Sequence, residues 1–375
     1  ADLHPKFKIP TLDNTYYAVK VLNLLLENWD EYYPQRSQLI TFIEDCQTFI
    51  AEKAQYGGFK NDLVSGFSSL RITDPNMLSS FYALKTLDTF NALGAINIDA
   101  FHQFLEDLYN IENCYFELSW FPDLPTHGRP FATSVGLSLS LLTGYNEINE
   151  MGIVTYLKSI RNNIGVWKSS INDIQFELID TFQVLRSLDD SCHIDDFTNG
   201  EKDVIANGLE HFQSYQSYSN TPIDYMSISA VSSITRSFKL FNRETDLEIQ
   251  QLFVYLRNAY ISDPENDPRS FYGYTNVDAK YLFFRIYPIE YYNLGKYSSL
   301  EYIDYLFNHK FVYQALTALK DLYKLDDFDT LYDLNGLLDQ TVLAQIINPN
   351  SDKFGAFLPN SLLLNFNQEI QDKTV

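Results

Sequence analysis

The sequence predicts an all-α fold: one closed ring of alternating inner and outer helices, an α/α toroid of about six to seven helix pairs. Three observations lead there. One helix-pair unit recurs along the chain, its two helices differ in polarity, and its last turn lacks a helix pair of its own.

The recurring unit is a Gly-aromatic turn, a polar loop, an apolar first helix, a short turn and an amphipathic second helix. Its first helix is clearest in Thr15-Tyr16-Tyr17-Ala18-Val19-Lys20 and Ser80-Phe81-Tyr82-Ala83-Leu84-Lys85. Further copies start at Thr133 and Thr181, and two more near Tyr225 and Asp278. The spacing of roughly 50 residues is long for tetratricopeptide or ankyrin repeats and suits a helix pair with a variable loop. The second helices are amphipathic. In 98–109, Ile98, Phe101, Phe104, Leu105, Leu108 and Tyr109 fall on one helical face. The segments 153–160 and 247–256 behave alike, with Asp99 and Asp246 near helix starts. The first helices have no continuous polar face, so they belong inside.

Gly57-Gly58-Phe59, Gly165-Val166-Trp167, Tyr272-Gly273-Tyr274 and Gly355-Ala356-Phe357 are the turns. The last has no complete pair after it. Its natural successor is the helix at Thr15, which a closed ring requires and a linear solenoid does not. The long loops at 60–78, 112–130 and 261–276 fall between units, so residues 1–375 read as a single domain with negligible β-structure. Segment 311–347 is either a seventh pair or an irregular tail.

The 375 residues include 28 Phe and 27 Tyr against 3 Trp, enough rings to fill a wide core or line a broad apolar cavity. A net charge of −22 argues against nucleic acid and against a basic membrane-binding face, and leaves a basic protein partner open. No apolar run reaches the ~20 residues of a transmembrane span. Cys46, Cys114 and Cys192 are odd in number and form no Cys-x-x-Cys, which speaks against a disulfide framework and against structural zinc. The chain opens at Ala1, compatible with a trimmed start or a removed signal peptide; a cytoplasmic location is expected ahead of secretion.

The unit Gly57-Gly58-Phe59, Ser80-Phe81-Tyr82-Ala83-Leu84, Gly94-Ala95-Ile96-Asn97-Ile98-Asp99 resembles the repeat shared by protein prenyltransferase β subunits and squalene-type terpene cyclases, over most of residues 13–360. The resemblance implies a central cavity lined by inner helices whose N-termini supply functional residues. It also implies an isoprenoid-type ligand. The catalytic motifs depart from the family. Glu177-Leu178-Ile179-Asp180-Thr181 aligns with the acidic cyclase motif, but Ile179 stands where that family has its proton donor, leaving Glu177 and Asp180 as candidate acids. Asp190-Ser191-Cys192 has the letters of the prenyltransferase zinc motif. It follows a helix instead of opening one, and His193 and His211 lie at the wrong distance. No metal ligand is therefore assigned. Asp326-Asp327-Phe328-Asp329 reads as a solvated turn with a helix cap.

Candidate ligand-binding residues sit at the starts of inner helices. His127 and Arg129, beside Pro130, suit a phosphate or carboxylate at a helix N-terminus. Asp13, Tyr225, Asp278 and Lys280 occupy equivalent starts. No Gly-rich phosphate loop, nucleophile elbow or His-Glu-x-x-His is found, and no cofactor is named by a motif. Three functions follow: a prenyltransferase- or cyclase-like protein acting on an apolar small molecule, a catalytically silent toroid binding a peptide or protein, and a carbohydrate-active α/α barrel.

Overall fold

A computed structural model describes residues 10–26, 35–49, 56–61, 63, 75–119, 128–167, 177–214, 217–218, 227–261, 270–271, 309–332, 334–345 and 356–357. Six described inner helices form the hub: α1 (Leu12–Leu25), α3 (Met77–Thr89), α5 (Arg129–Thr143), α7 (Glu177–Asp190), α9 (Ile228–Leu240) and α11 (His309–Asp321). They alternate with outer helices α2 (Arg36–Asp45), α4 (Ile98–Leu108), α6 (Glu150–Ser159), α8 (Asn199–Glu210), α10 (Ile249–Ala259) and α12 (Leu325–Tyr332). A final helix, α13 (Asn335–Leu343), packs against α1. The α/α toroid of the sequence reading is the observed architecture.

The division of labour follows polarity. Every residue of α5 from Pro130 to Ser140 is buried, and Ser134 and Ser140 bond back along their own helix, to the Phe131 carbonyl at 2.7 Å and the Gly136 carbonyl at 2.8 Å. In α4 only Ala100, Phe101, Phe104, Leu105 and Leu108 are buried, on one face, and Asn97 caps the helix by accepting from the Ala100 N–H.

Each inner helix packs against the next, α1 on α3, α3 on α5, α5 on α7, α7 on α9, and α9 on α11; α11 packs back on α1. The ring therefore closes through α11, inside the segment left open between a seventh pair and a tail. The unit starting at Asp278 lies outside the described residues.

Two repeating devices join the helices. Five inner helices end in a left-handed residue: Asn91 (φ 52°), Gly144 (φ 71°), Cys192 (φ 61°), Asn242 (φ 55°) and Tyr323 (φ 57°). The next amide reaches back to the helix each time, as His193 N–H does to the Leu188 carbonyl at 2.7 Å. This is the Schellman closure of a helix C-terminus.

The second device leads from an outer helix to the next inner one. An aromatic residue pairs antiparallel with the end of the outer helix's strand. The pairs are Gln47 with Phe59, Tyr109 with Phe116, Gln213 with Tyr218, Tyr260 with Phe271 and Gln345 with Phe357. These two-residue contacts are the β-structure of the described residues, and they recur at the repeat boundary. The aromatic N–H then donates to a hydroxyl in the first turns of the next inner helix: Phe59 to Ser80 Oγ (3.3 Å), Phe116 to Thr133 Oγ1 (3.1 Å) and Trp167 to Thr181 Oγ1 (3.0 Å). Phe357 donates to Thr15 Oγ1 at 3.2 Å, across 342 positions of sequence. The last turn thus uses the first helix as its successor. No helix among the described residues is long and apolar enough to cross a membrane.

Candidate functional site

Register fixes what the inner helices present to one another. Counting from the junction hydroxyls, the next two positions hold Tyr16 and Tyr17 in α1, Phe81 and Tyr82 in α3, and Phe182 and Gln183 in α7. Tyr313 holds the first of these positions in α11, ten residues before the left-handed Tyr323, as Phe81 is before Asn91 and Phe182 before Cys192. Their rings form one layer. Tyr16 lies 5.0 Å from Tyr17, 5.3 Å from Tyr82, 5.9 Å from Phe81 and 6.5 Å from Tyr313, centroid to centroid. Tyr17 lies 5.7 Å from Tyr82 and 6.0 Å from Tyr313. Tilted and edge contacts at these separations are the favoured ones for aromatic rings. Burial raises the phenols of Tyr16, Tyr17 and Tyr82, so the hydroxyls stay neutral donors at physiological pH.

Below this layer, in the C-terminal half of the inner helices, cations converge. Lys20, Lys85, Arg186 and Arg236 come from α1, α3, α7 and α9. Lys20 and Arg186 reach the rings of Tyr16 and Phe81 at 5.6 Å each, and Arg236 lies 4.5 Å over Phe182 and 5.9 Å over Tyr313. Asp190 sits 3.7 Å from Lys85 and 4.0 Å from Arg186. Burial, then the Arg186 and Lys85 charges, pushes the Lys20 ammonium down to about 8, with Arg236 adding to the shift and Asp88 opposing it. Lys85 is likewise lowered by burial and by Arg186. For Arg186, burial opposes the charge, but Tyr16, Tyr313 and Asp190 outweigh it and hold the guanidinium above its ordinary value. The sign for stability follows. Lys20 titrates lower folded than unfolded, so its cost is complete below pH 8 and is relieved as pH rises from 8 towards 10.5.

The residues singled out in the sequence are placed differently. Asp180 is fully buried in the first turn of α7, beside Thr181, whose hydroxyl holds the Trp167 amide. Glu177 opens the same helix; its side chain is outside the described residues, as are His127, Tyr225, Asp278 and Lys280. Asp13, in the first turn of α1, accepts from Thr11 Oγ1 and from Asn61 Nδ2 at 3.3 Å. Its charge raises Tyr17 and Tyr82 after burial has done so, and it opposes the lowering of Lys310 by burial. Arg129 pairs with Glu117 at 3.0 Å and stacks 4.5 Å over Tyr115, with more than half of its side chain exposed. The Asp190-Ser191-Cys192 turn is the Schellman end of α7, with Cys192 exposed in its left-handed position. Among the described residues no group of three or more His, Cys, Asp or Glu side chains converges as metal ligands would.

The cations were not singled out in the sequence. The signal was present in the repeated Lys20 and Lys85 of the quoted motif. Aligning the helices by the left-handed turn residue extends it: Lys85, Arg186 and Arg236 each stand six positions before Asn91, Cys192 and Asn242.

No family model matches this sequence, and no curated protein sequence does. The likeness is one of structure. Protein geranylgeranyltransferase-I from Candida albicans, solved with GGPP, superposes with a TM-score of 0.57 at 15% identity, over 84% of this chain and 85% of that one. The type II terpene cyclase MstE from Scytonema gives 0.44 at 12% identity, over 84% and 98%. The transferase superposition shows a shared toroid fold across most of both chains.

Proposed function

From this shared toroid we propose that the protein binds an apolar, isoprenoid-type ligand in its hub, in contact with the Tyr16, Tyr17, Phe81, Tyr82, Phe182 and Tyr313 rings. The observation that supports the reading is this aromatic layer, drawn from four inner helices and meeting where a ring of helices has its axis. Rings bury much area at low entropic cost and offer faces suited to an unsaturated chain. The transferase of like fold was solved with an isoprenoid, GGPP. On this reading Asp180 and Glu177, in the first turn of α7, are the proposed acids, and Asp13, in the first turn of α1, is a proposed ligand-binding residue. His127, Arg129, Tyr225, Asp278 and Lys280 stay as further proposed ligand-binding residues.

The proposal is one of binding. Ile179 occupies the proton-donor position of the cyclase motif, and the Asp190–Cys192 segment closes a helix. The test uses geranylgeraniol, a neutral probe, so that only the apolar chain is read. Calorimetric titration of the whole chain should give saturable one-to-one binding with a negative heat-capacity change. Tyr82→Ala should weaken it tenfold or more, and Tyr82→Phe should bind like the parent. A lack of saturable binding, or equal affinity in all three proteins, would overturn the reading.

A further inference from the structure

The outer wall carries a groove that no part of the hub uses. The hairpin after α4, strands Tyr109–Asn110 and Tyr115–Phe116, lays its turn against α6. Between them lies an open groove of about 480 Å³, with Glu112, Cys114, Met151, Gly152 and Tyr156 in its lining. Its walls are tied together. The Asn149 N–H donates to the Tyr109 hydroxyl at 3.0 Å, Asn149 Nδ2 donates to Cys114 Sγ at 3.7 Å, and the Tyr115 and Tyr156 rings lie 5.5 Å apart. Gly152 admits the turn, since a β-carbon there would stand 2.4 Å from Cys114 Sγ. The face of α6 that holds Ile153, Val154 and Leu157 is buried in the core, so the groove opens away from the hub.

We propose that this groove seats a basic segment of a partner protein, with an apolar side chain against Ile111 and Met151 and flanking lysines or arginines towards Glu106, Glu112 and Glu147. Three observations support it. The first is apolar surface. Ile111, next to Glu112, is 71% exposed, more than any other large apolar side chain described, and Met151, in the lining, is 58% exposed. The second is charge. The chain has 27 Lys and Arg in 375 residues, yet residues 86–157 hold only Arg129 among nine acids, and Arg129 is paired with Glu117. Glu106, Glu112 and Glu147 make no ion pair among the described residues. Burial, then Glu106 and Glu147, push the Tyr145 phenol up to about 12; Tyr109, which meets Asn149 of the groove, acts on the same ring. The acids therefore stand beside the groove and form one negative field.

The third observation is that the polar lining is already engaged. Asn113 donates to Asn110, the Thr155 hydroxyl to the Met151 carbonyl and the Ser159 hydroxyl to the Tyr156 carbonyl. A small polar ligand would find few free hydrogen-bonding groups there, whereas an apolar anchor in an acidic field needs none. A second copy of this chain is a poor occupant, because it would bring the same unpaired acids face to face. The groove lies outside the hub, so the inference stands apart from the proposed isoprenoid ligand.

The test is fluorescence anisotropy of a short labelled peptide, a leucine pair flanked by lysines, titrated with the whole chain. The parent should bind it saturably, and about tenfold more weakly when salt is raised from about 0.05 M to about 0.5 M. Replacing the peptide's lysines by serines should cost tenfold or more. Glu112→Lys should weaken binding fivefold or more. Asp326→Lys makes the same charge change on α12, whose inner partner α11 stands opposite α5 in the ring, and should leave affinity within twofold. Met151→Glu separates the seat from the field. It removes the anchor but adds an acid, so it should weaken binding fivefold or more, whereas attraction to the acidic chain as a whole would tighten it. Met151 and Glu112 are exposed, so both variants should melt within about 2 °C of the parent. The inference is overturned by any of four results: no saturable binding, equal affinity for the serine peptide, equal losses in Glu112→Lys and Asp326→Lys, or unweakened binding by Met151→Glu. Self-association of the free chain that Met151→Glu abolishes would overturn it too, by making a second copy the occupant.

Discussion

Phe357→Ala should destabilise the protein by about 3–5 kcal/mol, the range for deleting a fully buried phenyl group. Phe357 has no exposed surface, and its ring stands edge-on to His309, 6.3 Å between centroids, at the start of α11. Its backbone is fixed on both sides, paired with Gln345 and donating to Thr15. The side chain therefore fills the seam between the last inner helix and the first. A chain end that only covered a rod would lose far less on truncation, because terminal segments are usually loosely tied. Urea unfolding checks the value. Phe59→Ala, at the equivalent junction of the first unit and equally buried, should cost about the same. A loss below about 1 kcal/mol at Phe357, with a full loss at Phe59, would place the last junction outside the core.

Gly57→Ala should be at least as severe, on the order of 4 kcal/mol, from strain and collision together. Gly57 has φ +87°, in the left-handed region that costs an L-residue about 1–2 kcal/mol. The larger part is steric. A β-carbon there would stand 1.8 Å from the carbonyl oxygen of Ala100, a backbone atom in the first turn of α4. That oxygen moves only if the helix moves, and α4 is anchored by Phe101, Phe104 and Leu105, all fully buried. The matched control is Gly94→Ala, where nothing lies within 4 Å, and a change under about 1 kcal/mol is expected. Denaturant midpoints of the two variants separate strain and collision at Gly57 from a general effect of replacing glycine.

The parts legible in the sequence were those where one residue type answers one physical need. Gly57-Gly58-Phe59 announced its turn because the backbone there leaves little room for a side chain, and Phe357 of the matching Gly355-Ala356-Phe357 pointed to Thr15 because no later helix could receive it. The left-handed ends at Asn91, Gly144 and Asn242 use residues that favour that conformation. Cys192 and Tyr323 occupy the same position without any such preference, so the repeat overrides local propensity and a zinc-like triplet arises at a helix end. The two-residue β pairs are too short to leave an alternating pattern.

The hub was only half legible. Tyr16, Tyr17, Phe81 and Tyr82 stand in the quoted motif, and their convergence follows from inward helices. The cation ring was hidden because Arg186 sits in a weak copy. The fifth copy was also marked near Tyr225, whereas its helix opens at Ile228 behind the Ser227 cap, which accepts from the Ala230 N–H. Without the turn residue as a ruler, Arg236 does not line up with Lys20. Arg129 shows the converse. A Pro-started helix marked its guanidinium, but its partners, Glu117 and the Tyr115 ring, stand on the preceding segment, where no spacing pattern points to them.

Closure of the ring is the premise for every statement about the hub, because only a closed ring gives the inner helices a common axis. Hydrogen exchange read by mass spectrometry on Thr15→Val tests it most directly. The substitution keeps the shape of a fully buried side chain and removes the oxygen that accepts the Phe357 amide, a loss of about 1–3 kcal/mol. Exchange should quicken in the peptide containing Phe357, 342 residues away in sequence, while peptides from α6 and α8 keep their protection. Unchanged exchange around Phe357, with α1 alone loosened, would mean that the two chain ends do not meet.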